Sequence, residues 1–202
     1  MAEINRPGHE KPTEFLSVRF HPEAREGLLQ RGYTIYSLTG ASIDSHRKAG
    51  RSFMSTWHQS HPALEALPSM KNREVAINVV NPYLPESNEK TLSEQLALIN
   101  KHSAALMHEV PGTAAIMGEA ADYIEIVFLH FDATAAQDSP QFLFGKDKGW
   151  YRHYARSKTK VDNADVAGVG RFHPARGLSV YHWPADGRIP TVFAVPLIVP
   201  HS

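Results

Sequence analysis

Apolar and polar residues alternate along this chain in short blocks that change period several times. Residues 22–31 (PEAREGLLQR) open on proline and stop at Gly32, the punctuation of a short helix. Tyr33–Thr39 (YTIYSLT) is rich in β-branched and aromatic residues and predicts a strand. Residues 42–58 predict a helix with Ile43, Phe53, Met54 and Trp57 on its apolar side, interrupted by Gly50. A short helical piece is expected at 63–67, between Pro62 and Pro68, and a strand over 74–80. After a proline-containing loop, Thr91-Leu92-Ser93-Glu94 has the form of a capping box. Leu92, Leu96, Ile99, Leu106 and Val110 then recur at helical spacing, up to the stop at Pro111-Gly112.

The segment 123–131 (YIEIVFLHF) is apolar on both faces of an alternating pattern. It predicts a central strand, paired in a hairpin with 114–117. Three more strands are expected at 165–172, 178–183 and 191–199, with a turn at 185–188 between the last two. Pro196 marks the last of them as an edge strand or one that carries a bulge. The expected fold class is α+β, with a helix-rich N-terminal half. A mostly antiparallel or mixed sheet follows in the C-terminal half, one that can curl into a barrel-like form. Residues 1–13 read as a flexible arm and 14–202 as a single α+β domain.

Charge and composition narrow the function classes. Lys plus Arg and Asp plus Glu both number 21, so no global field draws in polyanions, and a dedicated nucleic-acid binder is not expected. Near-zero net charge leaves little self-repulsion, which favours a homo-oligomer. There is no cysteine, which removes disulfides, thiolate nucleophiles and zinc–thiolate sites. No leader-like segment and no membrane-length apolar run appear, so the expectation is a cytoplasmic protein without a membrane partner.

Candidate chemistry rests on the 12 histidines. His130-Phe131-Asp132 places an imidazole and a carboxylate at i and i+2, which share one face if the segment is a strand. His182 on a neighbouring strand would complete two histidines and one carboxylate, a facial ligand set for Fe(II) or another divalent metal, with His173 as the alternative. Arg188, with Arg176 as its substitute, would hold an anionic group of the substrate. Over these few residues the arrangement resembles that of the double-stranded β-helix oxygenases that use 2-oxoglutarate. The resemblance implies an iron cofactor, a cosubstrate-binding arginine and a curled sheet, although Arg188 follows His182 more closely than that family's arginine follows its second histidine.

The expected function is therefore a small metal-dependent enzyme acting on a small molecule. The alternative is a non-catalytic ligand-binding or self-assembling domain, with Trp150, Tyr151 and Trp183 at a pocket or interface.

Overall fold

The structure is a computed structural model that describes residues 17–54, 61–137, 141–144, 153–173 and 176–201. The arm expected over 1–13, and Trp150 and Tyr151, lie outside the described residues. The elements in chain order are α1 (Pro22–Gln30), β1 (Tyr33–Thr39), α2 (Ile43–Lys48), α3 (Pro62–Glu65), β2 (Lys71–Asn78), α4 (Leu92–Glu109), β3 (Thr113–Met117) and α5 (Ala120–Ala135). They continue with β4 (Tyr154–Lys160), β5 (Asp165–His173), β6 (Gly177–Pro184), β7 (Val192–Phe193) and β8 (Pro196–Pro200).

The fold is α+β, with two four-stranded sheets. The first runs β1-β2-β8-β3, antiparallel throughout. The second runs β6-β5-β4-β7, antiparallel except for the parallel pair β4 and β7. One of the two curls as a half-barrel. The helix-rich N-terminal half is corrected, because β1, β2 and β3 all precede residue 118 and supply three strands of the first sheet.

The largest correction is α5. The 123–131 segment is helical, and ten residues of this helix are buried. A run that is apolar all round has the same signature in a central strand and in a buried helix, so alternation could not separate them. The deciding local signal lies just upstream, where the Asp122 carboxylate reaches back to the Glu119 amide at 2.8 Å and stops the helix from fraying. The expected hairpin of 114–117 with 123–131 therefore supplies one strand, β3.

This helix lies between the two sheets. Tyr36, Leu38, Val75, Ile77, Leu197 and Val199 of the first sheet share a core with Ile124, Val127 and Phe128, as do Ala155, Ala167, Val169 and Val180 of the second. The other face of the first sheet buries Ala76, Ala115 and Ile198 against Leu28 of α1 and Ile99 and Leu106 of α4. The layers are thus helices, sheet, helix, sheet.

Other expectations are settled by backbone chemistry. The Thr91 capping box is present, with the Thr91 amide 2.8 Å from Glu94 Oε2 and the Glu94 amide 3.3 Å from Thr91 Oγ1. Of the helix expected over 42–58, the described part ends at Lys48. Gly50 takes φ +83° and closes a Schellman turn, with Gly50 N–H on Arg47 O and Arg51 N–H on His46 O.

Pro196 does not mark an edge. It is the first residue of β8, a position where a missing N–H is tolerated, and β8 runs between β2 and β3. The 185–188 turn forms, but the strands flanking it do not pair with each other, because β7 pairs with β4. Among the described residues no helix is long and apolar enough to cross a membrane.

Candidate functional site

The two halves of α5 carry different chemistry. Near its start, two carboxylates are buried, Asp122 and Glu125, each 2% exposed. Glu125 accepts from the Thr39 amide at 2.9 Å and the Thr39 hydroxyl at 2.6 Å, and also from the Ser69 hydroxyl. Asp122 accepts from the Met70 amide at 2.7 Å as well as from Glu119. Burial pushes the Asp122 carboxyl up against the pull of those two amides. Tyr123 is fully buried, donates to Val195 O at 2.6 Å and accepts from the Gly118 amide at 3.0 Å. Every one of these groups is engaged by the chain itself, which leaves none of them to act on a ligand.

Farther along, α5 passes β1, the strand that ends the first sheet among the described residues, and a groove of about 660 Å³ opens there. Thr34, Ile35, Tyr36 and Ser37 of β1 form one wall, with Val79 just beyond β2. Leu129, His130, Ala133, Thr134 and Gln137 of the C-terminal half of α5 and its following turn form the other, and Gln141 closes the end. Thr134 holds this end in place, accepting from the Gln141 amide at 2.9 Å and donating to His130 O at 2.9 Å.

No lysine, arginine, aspartate or glutamate is among the described wall residues, in a chain that is 21% charged.

The polar feature of the groove is the pair Tyr36 and His130. The Tyr36 hydroxyl lies 2.7 Å from His130 Nδ1, and both residues are buried. Burial pushes the phenol up to about 12, so it keeps its proton. The two groups thus share one buried hydrogen bond.

The structure does not bring the expected metal ligands together. On a helix, residues i and i+2 do not share a face, so His130 and Asp132 diverge. Asp132 pairs with Arg51, whose guanidinium sits 5.3 Å over the Phe128 ring. His182 lies on β6 and bonds through Nδ1 to Asp165 Oδ2 at 2.6 Å, with the His61 ring 6.1 Å away. His173 is exposed at the end of β5, and Arg176 is exposed just beyond it.

Arg188 is engaged elsewhere as well. It donates to Glu89 O at 3.1 Å and pairs with Glu94 Oε1 at 2.7 Å, which ties the 185–188 turn to the start of α4. Among the described residues no group of three or more His, Asp or Glu side chains could hold a metal ion. Trp183, expected at a pocket, packs on Tyr154 at 4.7 Å and lies across Gly168, where a Cβ would meet its ring at 2.7 Å.

Sequence reasoning missed Tyr36, Leu129 and Ala133 as wall residues, because α5, which carries Leu129 and Ala133 and faces Tyr36, has the sequence pattern of a strand over 123–131. One signal was available: Tyr33–Thr39 carries no charge and no proline, unusual for a strand that ends a sheet. The chain matches no family model, no curated protein and no solved structure.

Proposed function

We propose that the chain is a ligand-binding domain that takes an uncharged, largely apolar ligand in the groove between β1 and α5. The observation that carries this reading is the absence of charged side chains from the described walls of a groove large enough for a ligand. Pockets for small molecules run from about 300 to 1,000 Å³, are mostly apolar and orient their ligand with a few polar groups. The Tyr36–His130 pair supplies such a group. A phosphate or carboxylate ligand would find no lysine or arginine on the described walls, and would lose hydration without compensation.

The test uses an uncharged apolar dye, Nile red, with fluorescence as the readout. Ala133 is exposed on the helix wall, so Ala133→Trp fills the groove at little cost to the fold. The expected result is saturable binding to the parent protein and at least a tenfold loss in the variant, with unchanged circular dichroism. Equal binding by both proteins, or no saturable binding at all, would overturn the proposal.

A further inference from the structure

We infer that the natural occupant of the groove is an extended peptide segment, without charged side chains, that adds a strand to the open edge of β1. This rests on the ligand-binding reading above and names its ligand class.

The direction of the β1 backbone follows from its neighbour. Val18 lies on the far side of β2, donating to Asn72 O at 2.8 Å and accepting from the Glu74 amide at 2.9 Å. Glu74 therefore points away from β1. Successive residues of a strand point their amides in opposite directions, so Val75 and Ile77 face β1, where they lie opposite Tyr36 and Thr34. It follows that Ile35 and Ser37 direct their N–H and C=O groups to the open edge. Thr39, in the same phase, agrees, because its amide reaches across to Glu125 on α5 at 2.9 Å.

Neither the Ile35 nor the Ser37 backbone has a partner among the described residues. The Ile35 side chain packs on the α1 and α4 side of the sheet, so what it gives to the groove is main chain.

An edge of this kind is a template for another strand, and proteins usually guard such edges with lysine, proline or a covering element. Tyr33–Thr39 has neither residue, and α5 covers the edge only at the Thr39 end. Main-chain pairing with β1 would give affinity, and Leu129 and Ala133, one helical turn apart, would take side chains from one face of the added strand. The charge-free walls require an uncharged segment. Four consecutive β1 residues line the groove, which matches about 13 Å of extended chain at roughly 3.3 Å per residue.

The experiment screens a phage-displayed library of random octapeptides against the full chain, then measures the most enriched peptide by isothermal titration calorimetry. Enrichment of uncharged sequences with alternating apolar residues is expected. Ser37→Pro removes one open-edge N–H and takes nothing from the ladder to β2, so it should fold normally and bind that peptide roughly tenfold more weakly. Methylating the peptide's backbone nitrogens that face β1 should weaken binding similarly.

Full binding by Ser37→Pro, or enrichment of charged peptides, would overturn the inference. So would a doubled mass of the unliganded protein with the groove closed to peptide, since the occupant would then be a second copy. If no peptide is enriched but Nile red still binds and Ala133→Trp blocks it, the peptide inference falls and the ligand-binding reading stands. If Ala133→Trp affects neither ligand, the groove reading itself falls.

Discussion

The N-terminal and C-terminal halves of α5 are both mostly apolar, yet they do opposite things. In the first half, Asp122, Tyr123 and Glu125 reach to the end of β1 at Thr39, to residues 69–70 and to Val195 between β7 and β8, and their hydrogen bonds are made within the chain. In the second half, His130 meets Tyr36, and the helix then draws away from the edge of the first sheet to leave the groove. A buried polar group that is fully satisfied acts as a lock. An apolar wall beside unpaired backbone remains open to a partner. The position of a polar residue along one helix thus separates anchoring from recognition.

That contrast can be broken at either end. The largest effect is expected from Glu125→Ala, which takes the acceptor from the buried Ser69 hydroxyl and from the Thr39 amide and hydroxyl at the exposed end of β1, and empties the space of a buried side chain. A loss of about 3 kcal/mol in urea unfolding is expected, and a loss below about 1 kcal/mol would show that the carboxylate is not an anchor. At the recognition end, Tyr36→Phe removes a single hydroxyl beside a groove that water can enter. It should cost about 1 kcal/mol in the same assay. If the two variants cost the same, the halves do not differ as argued.

The smallest effect lies outside α5. Glu94 is held down to about 2 from its ordinary 4.5, first by the Thr91 amide and then by the Arg188 guanidinium. Its folded value is depressed, so its contribution is fully present above pH 4.5 and fades as pH falls towards 2. Acid titration of thermal stability should show a shallower fall over that window in Arg188→Ala, whereas an unchanged slope would remove the arginine from the account.

Much of the architecture could be read from the chain. The Thr91 box, the Gly32 stop, and the strands at Tyr33–Thr39, 165–172 and 178–183 are all carried by local backbone chemistry, and local chemistry is visible in a sequence. What could not be read is where an element lies relative to others. A helix packed between two sheets needs apolar residues all round, which erases the periodicity that would have identified it. The proposed His130, Asp132 and His182 set depended on that one assignment. Once 120–135 is a helix, two of the three point apart, and His182 already has Asp165 as its partner. The groove was hidden for the same reason, since one of its walls is the misread segment.

The interleaved order of the strands also sets a timetable. β8 runs between β2 and β3, although both are made some 80 residues or more earlier, and β7, two residues upstream of β8, pairs in the other sheet. During synthesis neither sheet can be completed until residues 192–200 have emerged. Until then β2 and β3 lack the strand that joins them, and the uncharged β1 edge waits beside them. Pairings this distant in sequence fold slowly, so a newly made chain passes through a long interval in which it depends on being kept apart from its neighbours.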